Sequence, residues 1–233
     1  MNEAECALWI ETIPSRVAGY GRADIMNFDE TSFFYRQIAA HTYSEKGSKV
    51  HGAFQSKDRI TVGFLVSQSG VKLKPVIIAK AVKPRCFKEI NYDLDKLPVF
   101  YYANSSAWMT SKIYIDYLNR LNDLFKSRSR HVLIFVDNFS GHPVISLTNI
   151  RFEFLPPNTT SHLQPLDQGI IHSFKCKYKA NLLNLVLSDL NPSTGNSKLK
   201  NLDLLTAIKL LDRSWSEVKS ESIVNCWRKC GFD

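Results

Sequence analysis

No apolar run in this chain approaches the roughly 18 residues that a membrane-spanning helix needs, so no membrane partner is expected. The first twenty residues, MNEAECALWIETIPSRVAGY, carry acids and lack the apolar core of a secretory signal. Cysteine is sparse and unpatterned. Cys6, Cys86, Cys176, Cys226 and Cys230 are an odd number with no CxxC pair, which argues against a disulfide framework and against a thiolate zinc site. Reduced thiols in the cytosol or nucleus are the expectation. There is no internal repeat and no low-complexity tract, so one continuous domain is the default. Acid is absent locally as well: from Arg59 to Lys88 there is no Asp or Glu.

What is present is enough to fold. The 233 residues are 44% hydrophobic, sufficient for a sizeable core, and a net charge of +8 favours a polyanionic partner. In the acid-free stretch, Arg59, Lys72, Lys74, Lys80, Lys83, Arg85 and Lys88 alternate with β-branched residues. Two readings stay open for it: an edge strand guarded by lysines, or a surface that contacts a phosphate backbone. The loop FKSRSRH (125–131) is either solvated or a further nucleic-acid contact.

Strand patterns come first along the chain and helical ones last. ADIMNFDE (23–30) is a short strand ending on Asp29. RITVGFLVS (59–67), a QSG turn and VKLKPVIIA (71–79) make a β-hairpin, with Pro75 marking its second arm as an edge or bulged strand. VFYYA (99–103), VLIFV (132–136) and IRFEFL (150–155) are further strands. Over 109–125 Thr110 is a candidate N-cap, and Ile113, Tyr117, Leu121 and Leu124 share a helix face. From Pro165 onward Leu166, Ile170, Phe174, Tyr178, Leu182 and Val186 recur every fourth residue, predicting one long amphipathic helix. NPSTGNSK (191–198) reads as a solvent loop, with two helices after it at about 199–213 and 214–229 and Gly231 as a stop. This order predicts an α/β fold with a mixed sheet flanked by helices and a helical C-terminal part.

Three aspartates carry the candidate chemistry. Asp29 and Asp137 each end an apolar run, and neighbouring strands lie about 4.8 Å apart, so adjacent parallel strands would bring their carboxylates together. Taken singly, either is a turn or cap residue. Asp167 falls in the first turn of the long helix, where an acid also complements the helix dipole. All three at one end of a sheet would form a self-repelling cluster that a hard divalent cation neutralises, and two such ions can drive phosphoryl displacement. Glu30 and Asn138 follow catalytic candidates and point away from them. His142 is expected either to bond the local turn or to contact DNA, ahead of metal ligation. Trp9, Trp108, Trp215 and Trp227 are read as core anchors.

The segments NFDETSFFYR, KDRITVGFLVSQSGVKLKPVIIAKAVKPRCFK, LPVFYYANSSAWMT, LIFVDNFSGHP and FLPPNTTSHLQPLDQGIIHSFKCKYK closely resemble the DDE superfamily endonuclease domain of the pogo and Tigger branch of mariner-type transposases, relatives of the jerky and centromere protein B proteins. The resemblance runs from about residue 20 to the closing NCWRKCGF. It implies a ribonuclease H-like fold with a DDE endonuclease domain over 23–190, a lead-in over 1–22 and a helical extension over 191–233. It also implies a catalytic and metal-binding triad: Asp29 in FDET, Asp137 in VDN and Asp167 in PLDQG, the last two separated by 29 residues. The expected activity is metal-dependent DNA cleavage and strand transfer, with two Mg²⁺ ions (Mn²⁺ as substitute), double-stranded DNA as partner, a homodimer as the assembly and the nucleus as the location. The alternative is a domesticated, non-catalytic DNA-binding nuclear protein. The family's N-terminal helix-turn-helix modules have no counterpart in 1–22, and in DNFSGH a bulky Phe139 stands where the family more often has a small residue.

Overall fold

The computed structural model describes residues 3–37, 58–188 and 195–232. Helices α1 (Glu3–Glu11) and α2 (Ile13–Val17) precede strand β1 (Ile25–Phe33), and β2 (Ile60–Ser67), β3 (Val76–Ala79) and β4 (Phe100–Ala103) follow. Helix α3 (Ser111–Ser127) leads into β5 (Val132–Val136) and β6 (Ile150–Phe154). Then come α4 (Thr160–Leu163), a 3-10 turn over Pro165–Gln168, α5 (Ile170–Leu187), α6 (Gly195–Asn201), α7 (Leu204–Ser216) and α8 (Ser220–Lys229).

The six strands form one mixed sheet in the order β4, β3, β2, β1, β5, β6. β1 pairs parallel with β5, and β5 with β6, while β2 runs antiparallel to both β1 and β3, and β4 lies parallel to β3. Every strand except β2 therefore points the same way, and five C-terminal strand ends share one edge. Helices cover both faces. Ile25, Leu133 and Phe135 pack toward α1, α5, α7 and α8, whereas Met26, Phe28, Ile134 and Val136 pack toward α3. With both faces covered, every position of β2 and β3 is buried. Trp9, within the stretch read as a lead-in, stands edge-on to Phe135 and Phe232, 6.0 and 6.1 Å away, and Arg16 pairs with Glu153 of β6 at 2.8 Å.

Several expectations need correction. β1 does not stop at Asp29 but continues to Phe33, because its ladder with β2 runs from Met26↔Ser67 to Phe33↔Ile60. β3 is not an edge strand: Pro75 lies just ahead of it, and β4 occupies its other side. The long helix is broken at Gly169, whose φ of 133° a side chain would resist, so Asp167 lies in a separate turn ahead of α5. Part of the 191–198 loop lies outside the described residues, and from Gly195 on the chain is α6. Thr110 does cap α3, accepting from the Ile113 N–H, but it is Phe125 that is buried from the last turn, ahead of Leu124.

Candidate active site

The ladder between β1 and β5 ends at Asn27↔Phe135, after which the two strands part. Asp29 stands two residues beyond that point on β1 and Asp137 two residues beyond it on the β5 side, so both carboxylates flank one gap. The turn that carries Asp167 is bolted across it. Asn27 is fully buried; its amide nitrogen donates to the Phe135 carbonyl at 3.0 Å and its amide oxygen accepts from the Leu166 N–H at 3.0 Å. Gln164 is also buried, and its side chain bonds the Asp29 carboxylate. The three aspartates thus reach the same end of the sheet from three elements.

Negative charge exceeds positive charge here. Burial holds the Asp29 carboxyl well above the usual carboxylate range, and the charges of Asp167, Glu30 and Asp137 add to the rise against the Gln164 bond. Asp167 is raised too, first by desolvation and then by Asp137, with a hydrogen bond to Asp29 and the Lys175 charge pulling the other way. Lys175 of α5 is the nearby cation: its Nζ donates to the Thr31 hydroxyl at 2.7 Å, and desolvation lowers its own pKa. Two carboxyls pushed upward while sharing a hydrogen bond repel each other more than their surroundings compensate.

On the other face of the sheet, the carboxylates have a buried cation between them. The His142 ring is fully buried, its Nε2 within 2.9 and 3.0 Å of the Glu30 carboxylate oxygens and its Nδ1 within 2.8 Å of Asp137 Oδ1. It stacks on Tyr114 at 4.4 Å and meets Phe28 edge-on. Burial opposes its protonation, but the two carboxylates win, raising its pKa to about 10. His142 is therefore an imidazolium clamp between Glu30 and Asp137. A ring so enclosed cannot reach a DNA backbone, which corrects that expectation. Glu30 does point away from Asp29, as alternation requires, yet it reaches the site through this histidine. Asn138 donates to the Leu155 carbonyl and so ties the turn after β5 to the end of β6.

The basic stretch divides in two. Arg59 precedes β2 and Lys80 directly follows β3, so both sit at the carboxylate end, where they line a cavity of about 310 Å³ together with Arg85 and Arg36; Lys83 and Lys88 lie along the crossover to β4. Lys72 and Lys74 lie at the opposite end. Lys72 is committed to structure, its Nζ donating to the carbonyls of Trp215, Ser216 and Val218 at 2.6 to 2.8 Å and so capping α7. Lys74 lies over the Phe100 ring at 5.1 Å. The expected one-signed hairpin surface is thus replaced by two separate groups, because the hairpin itself is buried. Sequence reasoning missed Asn27, Gln164 and Lys175. A lone amide inside the greasy IMNFD was the available signal for the first.

Residues 57–227 match the profile of the DDE superfamily endonuclease family. The chain belongs to that family. Asp137 and Asp167 fall within the matched segment and Asp29 lies ahead of it. The chain is 34% identical over 228 residues to the mouse Tigger transposable element-derived protein 4, covering 97% of this chain and 43% of that protein. It is 30% identical over 220 residues to the CENP-B homolog protein 2 of Schizosaccharomyces pombe, covering 90% and 42%. To the major centromere autoantigen B of Cricetulus griseus the identity is 27%, covering 95% and 35%. This DDE chain thus spans less than half the length of these relatives. Among solved structures, the Mos1 transposase paired-end complex with left transposon end superposes with a TM-score of 0.57 at 15% identity, over 99% of this chain and 60% of that one. The Mos1 catalytic domain solved with Raltegravir and Mn gives 0.53 at 15%, over 99% and 91%. The DDE chain has the ribonuclease H-like fold.

Proposed function

We propose that this chain is the catalytic core of a transposase-derived DNA endonuclease and strand transferase acting on double-stranded DNA in the nucleus with divalent metal ions. The observation that supports it is the surplus of carboxylate charge at Asp29 and Asp167, which the described residues leave largely unmatched. The donor set suits magnesium or manganese: hard carboxylate oxygens from Asp29, Asp137 and Asp167, beside a buried Gln164 Oε1 with no partner among the described residues. A pair of ions held there would supply charge stabilisation to the attacking and leaving oxygens of an in-line displacement at phosphorus. The chain's own work is positioning. Asn27 fixes the turn that presents Asp167 and His142 fixes one oxygen of Asp137; Arg59, Lys80 and Arg85 offer phosphate contacts at the same end, and Lys83 and Lys88 extend them along the crossover to β4. The displacement requires no covalent bond between a side chain and DNA.

A second reading, a non-catalytic DNA-binding descendant of a transposase, has one observation in its favour. Among the described residues no three His, Cys, Asp or Glu side chains converge as a ready metal cage, and His142 already occupies Asp137 Oδ1. Nicking of supercoiled plasmid in Mn²⁺ separates the two. The catalytic reading expects nicking that falls by more than about 100-fold in Asp137→Ala, the scale of losing a reaction's metal ligand. Salt-sensitive duplex binding with no nicking by the unaltered chain would favour the second reading.

A further inference from the structure

Beside the carboxylates lies a cavity of about 160 Å³ whose floor includes Asp29, Glu30 and Asp137 and whose walls include Trp108 and Phe139. Trp9, Trp215 and Trp227 are 8%, 4% and 0% exposed, as core anchors are, but Trp108 is 48% exposed and Phe139 is 43% exposed. An exposed indole on a loose loop would mean little. This one is built in. Both its backbone groups are held by the Asn104 amide, the carbonyl at 2.7 Å and the N–H at 3.3 Å. The preceding Ala107 is buried in the left-handed region at φ 52°, which alanine rarely adopts, and its carbonyl accepts from the Thr61 hydroxyl at 2.7 Å. The Arg59 guanidinium lies 4.0 Å from the centre of the indole ring and also donates to the Ser106 carbonyl.

Phe139 supplies a second ring. The Phe139 ring packs on Gly141, where any Cβ would collide with it, and stands edge-on to the clamped His142 at 5.4 Å. Two exposed aromatic rings, one of them held in place and backed by a guanidinium, border a pocket lined by carboxylates. Exposed aromatic faces beside a cleft read as a phosphate-transfer site suit a flat ring carried on a phosphate backbone: the ring stacks on the indole, whose other contact is the Arg59 guanidinium.

We infer that Trp108 and Phe139, with Arg59 behind the indole, form a stacking site for an unpaired nucleobase next to the phosphate that is cleaved. This deepens the reading of the cleft as a DNA site and rests on it. A base inside a duplex presents only its edges, so the site selects DNA that is frayed, flipped or single-stranded at that point.

The test uses the whole chain and three labelled duplexes of equal length: blunt, with a short 3′ overhang, and with the same overhang made abasic. Anisotropy should give tighter binding to the overhang than to the other two, by about tenfold, the scale of one base stacked on an aromatic ring. Trp108→Ala should erase the preference while keeping salt-sensitive binding to blunt duplex, and Trp108→Phe should retain it. Since Trp108 is the exposed indole, the overhang should also shield its fluorescence from acrylamide. Equal affinity for the normal and abasic overhangs, or a preference untouched by Trp108→Ala, overturns the inference and leaves the DNA reading standing. No binding to any of the duplexes removes both.

Discussion

The two faces of the sheet treat carboxylates in opposite ways. On the α3 side, Glu30 and one oxygen of Asp137 face a buried imidazolium, one cation for two carboxylates, which lowers the Glu30 carboxyl against the rise that burial imposes. On the α5 side, Asp29 and Asp167 share a hydrogen bond under each other's repulsion, eased chiefly by Lys175 and the Gln164 amide. The first arrangement carries its own cation and belongs to folding. The second costs stability as it stands, and it makes sense as a site whose positive charge arrives from outside.

The sharpest way to break this comparison is to remove the cation from the matched side. His142→Ala leaves Glu30 and Asp137 without their partner and should cost about 3 to 5 kcal/mol in urea unfolding. Because the folded pKa of His142 is raised from 6.5 to about 10, its stabilisation is complete below about pH 6.5 and is lost as pH rises through about 10. Melting temperatures in chelator should fall over that window, and the fall should be missing in a folded His142→Gln variant.

On the unmatched side the substitution has the reverse effect, although the pH dependence runs the same way. Asp29 has a folded pKa above its ordinary value of 3.8, so the fold favours its protonated form and loses stability as pH rises through the folded value. Asp29→Asn should therefore stabilise the metal-free chain at neutral pH by on the order of 1 kcal/mol while abolishing nicking. Destabilisation by Asp29→Asn in chelator would mean that the carboxylate is matched after all.

A smaller effect sharpens the division between the two ends of the sheet. Lys72→Met removes three charged hydrogen bonds to the end of α7 and should lower stability by about 1 kcal/mol without changing the salt dependence of DNA binding. The double change Lys80→Ala and Lys83→Ala should leave stability nearly unaltered and reduce the slope of log K against log salt by about 2, close to one for each phosphate no longer neutralised.

What the sequence made legible follows from how local each signal is. β5 matches its expected span because five apolar residues, two of them valines and one isoleucine, bounded by polar ones are too few for a helix and suit a buried strand. The Thr110 cap was readable because capping is a three-residue event. Asp29 could not be placed inside its strand, since β1 is prolonged by its ladder with β2, about thirty residues away. The break at Gly169 was hidden because the stripe of Leu166, Ile170 and Phe174 continues in phase across it. His142 is 112 residues from Glu30, and only the closing of the sheet brings a ring from one loop onto a carboxylate from another strand. The three aspartates were legible as candidates by resemblance; the asymmetry of their charge environment needed the fold.

The most direct measurement of the central claim is Mn²⁺ binding without DNA, read from the loss of the free-ion electron paramagnetic resonance signal. The unaltered chain should bind the ion, and Asp29→Asn and Asp167→Asn should each lose most of that binding while remaining folded. Equal binding by all three, or none by the unaltered chain at millimolar Mn²⁺, would contradict the account, because the surplus carboxylate charge would then not be a cation site.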